Sequence, residues 1–170
     1  MRGGQKTRLR YFPVRKGKAV FDVNINWAQI LAHFYHLAVA YVLAFPIGWD
    51  RETSKRRFGL RTFPLVAVAA CGFMLTGINV LDTTGAEGRV LQGIITGIGF
   101  IGGGAILKGD STVKGTATAA SIWNTGAIGV AVAYSRLEIA ILLSLLNFIT
   151  LRLIGEVKEK FDSHHDDKAA

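Results

Sequence analysis

Four stretches of this chain run 18 or more residues without a charge: Val23–Trp49, Thr62–Leu81, Val90–Leu107 and Gly115–Ser135. Bilayer hydrocarbon is about 30 Å thick and a helix rises about 1.5 Å per residue, so about 20 apolar residues cross it. Four such runs in 170 residues are hard to place in a soluble protein. They predict an all-α fold, a polytopic transmembrane helix bundle with four spans plus a fifth. The fifth, Leu137–Ile154, is less sharply bounded, because Glu138 and Arg152 lie near its ends. A long cation there can snorkel to the interface. The lipid bilayer is thus the first expected partner.

Length allows one domain, divided into a basic tail at 1–22, a transmembrane domain at 23–155 and a charged tail at 156–170. The net charge of +8 is unevenly placed. Arg2, Lys6, Arg8, Arg10, Arg15, Lys16 and Lys18 precede any acid, which leaves little net charge on the remainder. The pI of about 9.9 is therefore no evidence for a nucleic-acid-binding domain, and no nucleic-acid partner is expected. Cys71, the one cysteine, falls inside an apolar run and reads as a small buried hydrophobe. The N-terminus does not read as a secretory signal, since its basic stretch leads into a full-length span with no small-residue cleavage site.

Basic residues set the expected orientation. The first loop, Asp50–Arg61, holds Arg51, Lys55, Arg56, Arg57 and Arg61 against Asp50 and Glu52, and is placed in the cytoplasm together with the C-terminus. The N-terminus then falls outside, against the sign of its own tail. Three readings accommodate this: a first span folded back at Pro46, a tail that overrides the rule, or a native start near Val20 or Val23. The third is favoured, because tail and remainder differ so sharply in composition.

The third run is rich in glycine: Gly93, Gly97, Gly99, Gly102, Gly103 and Gly104. Gly93/Gly97 and Gly99/Gly103 are GxxxG pairs, which let a second helix approach closely in lipid. Ala119, Ala120, Gly126 and Gly129 offer a matching small surface on the fourth run. The two are expected to pack through Gly93, Gly97 and Gly103. The alternative is a broken helix at Gly102–Gly104 lining a polar path. Thr118, Ser121 and Thr125 form a polar stripe read as interhelical glue or a cavity wall, and Asn147 as glue. His33 and His36 share a helix face and read as hydrogen-bonding groups rather than a metal site. His164, His165, Asp166 and Asp167 read as solvated charge in a mobile terminus. No Walker loop, zinc-ligand spacing or Ser/His/Asp arrangement is present, so neither an enzymatic activity nor a cofactor is expected, and the metal question stays open.

Three segments resemble one family. IGWDRETSKRRFGLRT at 47–62 is similar to the IGxERExxxxxAGLRT signature of the MgtC/SapB membrane proteins. RVLQGIITGIGFIGGGAI at 89–106 is similar to that family's RxxxxxxxGIGFLGAGxI element, and VKGTATAASIWNTGAIGVA at 113–131 to its VRGLTTAASLWxxAAIG element. They occur in the family's order. Asp50 stands where the family usually has Glu, Phe58 where Ala is frequent, and Gly93 where some members have Gln; Pro46 and Trp49 alter the exit of the first span. The ACT-like C-terminal domain of longer members is expected to be missing.

The resemblance implies a bacterial inner-membrane protein tied to magnesium limitation and, in some pathogens, to survival in macrophages. It implies a regulator of a membrane partner, with the F-type ATP synthase as the partner of the founding member. It singles out Arg51, Glu52, Gly59, Leu60, Arg61 and Thr62 as a cytoplasmic loop signature. It also singles out Arg89, Gly97, Gly99, Phe100, Gly102, Gly103, Gly104, Gly115, Thr118, Ala119, Ala120, Trp123, Gly126 and Gly129 as packing or path residues. Homo-oligomers are a further expectation. The rival reading is a magnesium transporter or channel along the glycine-rich span. It is weakened by the placement of Asp50, Glu52, Asp82, Glu87 and Asp110 at span ends or in loops, because a divalent ion wants several oxygen ligands.

Overall fold

A computed structural model gives the fold. It describes residues 26–53, 58–81, 83–109 and 112–166, with side chains through Leu153. The basic tail, Lys55, Arg56 and Arg57 of the first loop, and the side chains of the His/Asp cluster at 164–167 lie outside the described residues, as does the proposed alternative start.

Five helices follow in order: α1 Trp27–Thr53, α2 Thr62–Val80, α3 Thr84–Gly103, α4 Thr116–Ala133 and α5 Leu137–Asp166. Asn26 begins α1, its side-chain oxygen accepting from the backbone N–H groups of Ala28 and Gln29. Helix α1 runs through Pro46 as one element, which removes the reading of a first span folded back there. Pro64 lies in the first turn of α2, where its missing N–H has no helical partner to lose. Thr83 caps α3 by accepting from Ala86 N–H at 3.2 Å.

The three glycines at 102–104 end a helix instead of breaking one. Helix α3 stops at Gly103, and the Gly102 and Gly103 carbonyls accept from the N–H groups of Ala105 and Ile106. A short antiparallel ladder missed by the sequence reading follows, pairing β1 Leu107–Lys108 with β2 Val113–Lys114. Gly115, at φ 92°, turns the chain into α4. A side chain there would be strained and would meet the Ala105 carbonyl oxygen. Helix α5 continues as helix to Asp166, past the point where a mobile tail was expected.

Helix α4 is the centre of the bundle and touches the other four. Helices α1 and α2 pack on each other and on α4, while α3 packs on α2 and α4, and α5 on α1 and α4. The core holds Ile47, Phe63, Cys71, Met74, Ile122, Ile128 and Val132, all fully buried, with Cys71 a free thiol as read.

The expectation of four spans is corrected. Among the described residues, two helices, α1 and α2, are long and apolar enough to cross a membrane. Helix α3 spends its length on glycines plus Glu87, Arg89, Gln92 and Thr96, and α4 carries Thr116, Thr118, Ser121, Asn124 and Thr125. Freedom from charge is a weaker property than apolarity, and only the first was read from these two runs.

Candidate functional site: the α1–α2 corner and the two faces of α3

The end of α1 and the start of α2 close into a tight corner. A Cβ on Gly48 would sit 3.2 Å from Leu60 Cα and 3.3 Å from the Gly59 oxygen, so the two segments meet backbone to backbone. The Gly59 carbonyl accepts from the Thr62 and Phe63 N–H groups and starts α2. The Glu52 carboxylate accepts from Leu60 N–H at 3.2 Å. It occupies the space a side chain on Gly59 would need. This places a negative charge beside the first turn of α2, where helix dipole and free N–H groups favour it. Asp50 and Arg51 are both buried and bonded to each other: the guanidinium donates through Nε at 3.1 Å and Nη2 at 2.7 Å to one Asp50 oxygen. The pair brings no net charge into the buried corner. Arg61 is exposed, and Leu60 and Thr62 are half-buried.

Much of the signature is therefore used in building the corner. Glu52, Gly59 and Leu60 form one contact and Arg51 forms another with Asp50. Arg61 is left facing outward.

Helix α3 has two faces. Inward, Ile94, Ile98 and Gly102 are buried. A Cβ on Gly102 would lie 3.2 Å from the Ala119 carbonyl oxygen, and one on Gly126 would collide with the Ile98 side chain. Gly77 of α2 abuts Val90. Outward, Gly85, Gly88, Gly93, Gly97, Gly99 and Gly103 have nothing within 4 Å of a Cβ. The packing expected through Gly93, Gly97 and Gly103 is corrected: Gly102 with Ala119, and Ile98 with Gly126, make it. At 100° per residue the set Gly93, Gly97 and Gly103 centres roughly opposite the buried Ile94, Ile98 and Gly102, with Gly97, one turn from Ile94, at its edge. Arg89, Gln92, Thr96 and Phe100 join the outward face, Phe100 at 86% exposure. Among the described residues no hydrogen bond engages the Gln92 amide, whereas Thr96 donates to the Gln92 carbonyl in its own helix.

Of the stripe on α4, Ser121 acts as interhelical glue, joined by Asn124 beside it. Thr118, Ser121 and Thr125 are buried. Ser121 donates to the Asn147 side chain on α5, Thr125 to the Ser121 carbonyl at 2.8 Å, and Asn124 to the Leu143 carbonyl at 3.1 Å. Gly129 lies so close to α2 that a Cβ would fall on the Ala67 carbonyl oxygen. Ala119 is half-buried, and Ala120 and Trp123 are exposed. Two bonds tie α1 to α5 and to the turn before it; the Ser144 bond was missed by the sequence reading, while the His36 contact bears out its reading as a hydrogen-bonding group. Ser144 donates to the Leu43 carbonyl at 2.6 Å, and His36 Nε2 lies 3.2 Å from Ser135 Oγ. His36 Nδ1, 2.7 Å from the Ala32 carbonyl, donates there, and in the neutral ring Nε2 then accepts from the Ser135 hydroxyl. His33 has no part in this contact. Among the described residues no three His, Cys, Asp or Glu side chains converge as metal ligands would.

A helical bundle with two membrane-length apolar helices, and with Trp27, Leu31, Phe34, Leu142 and Leu146 exposed on its outside, is a membrane protein of the all-α class. The chain belongs to the MgtC family, whose family model matches residues 37–160. Protein MgtC of Salmonella typhimurium is 30% identical over 130 residues, 76% of this chain and 55% of that protein. An uncharacterized protein, slr0014, of Synechocystis is 38% identical over 105 residues, 62% of this chain and 43% of its own. Protein MgtC of Brucella abortus is 40% identical over 94 residues, 55% and 39%. The chain thus spans about half the length of these curated relatives. No solved structure matches it.

Proposed function

We propose that this is a bacterial inner-membrane protein that acts by binding a membrane protein partner under magnesium limitation, rather than by carrying the ion. The observation that carries the reading is the outward face of α3. A helix face of glycine, Thr96 and an unbonded Gln92 is poorly suited to lipid, where a polar group without a partner is costly. It is well suited to close approach by another helix, which would also take up the amide. The F-type ATP synthase implied by the family resemblance is one such partner, and a second copy of this chain another.

Helices α3 to α5 join α1 and α2 in the bilayer on this reading. They are held there by packing and by the Ser121–Asn147 and Ser144–Leu43 bonds, not by apolarity alone. The basic residues of 50–61 put the corner and the C-terminus in the cytoplasm. Among the described residues, several polar atoms a cation path could use are engaged elsewhere. Asp50 is held by Arg51, Glu52 by Leu60, and the Gly102 and Gly103 carbonyls by Ala105 and Ile106.

Two measurements test this together. Gly97→Cys in native membranes should crosslink to a protein of defined size, while an outward cysteine on α5 such as Leu145→Cys should not. Purified protein in liposomes should give no magnesium flux above empty vesicles. Flux that disappears in Gly97→Leu with the protein still folded would overturn the proposal in favour of a transporter.

A further inference from the structure

Helices α3 and α5 both pack on α4 and leave a groove of about 420 Å³ between them. Its walls are Ile95 and Ile98 on one side and Ile139 and Leu143 on the other; Ala127 and Val130 form the floor. Trp123 lies at one end and Tyr134 with Arg136 at the other, by the turn between α4 and α5. From Trp123 to Tyr134 is eleven residues of helix and turn, about 16 Å at 1.5 Å per residue. That is close to half the bilayer hydrocarbon, about 15 Å. The groove is apolar for the depth of one leaflet and cationic at the end that meets the interface.

The cation is available. Arg136 is exposed, and among the described residues nothing hydrogen-bonds or pairs with its guanidinium. The nearest acids are otherwise placed. Glu87 accepts from the Tyr134 hydroxyl at 3.3 Å, and neither Glu87 nor Glu138 lines the groove. A helix with side chains is about 10–12 Å wide and rises 5.4 Å per turn, so this volume holds roughly one turn of it. A single extended hydrocarbon chain fits better. We infer that the groove holds one acyl chain of a phospholipid whose phosphate rests on Arg136. The inference rests on the placement of α3 to α5 in the bilayer. Guanidinium and phosphate are matched in charge and in hydrogen-bond geometry, and the apolar slot continues from that contact in the direction a lipid tail takes.

The test uses the full chain, stripped of lipid in detergent and titrated with phosphatidylglycerol or with diacylglycerol of the same chains. Bound lipid is counted by native mass spectrometry. Wild type should hold one phosphatidylglycerol, with a several-fold preference over diacylglycerol. Arg136→Ala should abolish the preference, Ala127→Phe should abolish retention of both, and Leu145→Phe, outside the groove, should change neither. Equal retention by wild type and Ala127→Phe, or a preference that survives Arg136→Ala, overturns the inference. So does crosslinking of Ala127→Cys to a protein in native membranes. Arg136 is a surface residue, so its variant remains informative if Ala127→Phe does not fold. Carbonate extraction of cell membranes separates the underlying premise: release of the wild-type protein would sink the membrane placement. A protein that stays in the pellet and binds no lipid sinks the groove alone.

Discussion

The sharpest test of the packing compares two alanines, at Gly129 on α4 and Gly97 on α3. A Cβ on Gly129 would fall on the Ala67 carbonyl oxygen and within 3.0 Å of Ala70 Cβ, both fixed on α2. Neither obstacle is the end of a flexible side chain, so α2 and α4 must separate. A gap of about 0.5–1 Å forfeits roughly a quarter to a half of each contact's dispersion well. Overpacking of this kind costs about 1–3 kcal/mol, and a backbone obstacle puts Gly129→Ala toward the upper end. A Cβ on Gly97 meets nothing within 4 Å. Both substitutions gain the same helix propensity, about 1 kcal/mol, so the difference between them isolates the clash. The assay is unfolding by SDS from mixed micelles of a monomer-dispersing detergent, followed by far-ultraviolet circular dichroism. Gly97→Ala should equal or exceed wild type, and Gly129→Ala should fall below Gly97→Ala by about 1–3 kcal/mol. Equal stability of the two variants would refute the assignment of the close helix contact to α2–α4 and of the open face to α3.

Three further outcomes are expected. Arg51→Ala leaves the buried Asp50 carboxylate without its partner and should cost about 3–5 kcal/mol in the same unfolding assay, whereas Asp50→Asn with Arg51→Gln should recover most of it; a wild-type midpoint for Arg51→Ala would show that the pair is not desolvated. Gly115→Ala places a Cβ at φ 92° against the Ala105 oxygen and should lose at least about 1–2 kcal/mol, with faster proteolysis in 107–114, while Gly109→Ala, 3.5 Å from Thr112 Oγ1, should not. Ser121→Ala and Asn147→Ala should each cost about 0.6 kcal/mol, up to roughly 1.7, as interhelical hydrogen bonds in bilayers do. Asn147 also donates to the Ser121 carbonyl, so the double variant should cost no more than Asn147→Ala alone; additive losses would mean the two side chains do not bond to each other.

The helices were legible in the sequence because charges bound them, as Asp50–Arg61 does between α1 and α2; the start of α3 was not, since the charge-free run begins at Val90 and the helix at Thr84, capped by Thr83. The number of membrane-length apolar helices was not, because a charge-free run such as 115–135 can still be filled with threonine, serine and asparagine. The role of the glycines was half legible. Close approach was read correctly as a property of the residue type, but which neighbour each glycine meets depends on rotation about the helix axis. A stretch with glycine at positions 93, 97, 99, 102, 103 and 104 has small residues on every side, so its sequence does not say which side turns inward. Ile94 and Ile98 mark that side, and they were the signal available. The Arg51–Asp50 pair was hidden for a different reason. Neighbouring residues on a helix do not face each other, and only burial of both side chains folds them together.

Helix α4 shows why hydropathy and position in the bundle need not agree. It is touched by every other helix, so its polar groups can use protein partners in place of lipid solubility: Ser121 bonds Asn147, Asn124 the Leu143 carbonyl, and Thr125 the Ser121 carbonyl of its own helix. Helix α3 is poorer still in apolar residues, and among the described residues it packs chiefly on α2 and α4. Its Glu87 is bonded to Tyr134 and its Thr96 to its own backbone, while among the described residues the Gln92 amide has no hydrogen bond and Gly88, Gly93 and Gly97 meet no neighbour. Such a face would be unfavourable as a lipid surface and favourable as a contact. That outward side of α3 is therefore where a partner should be sought first.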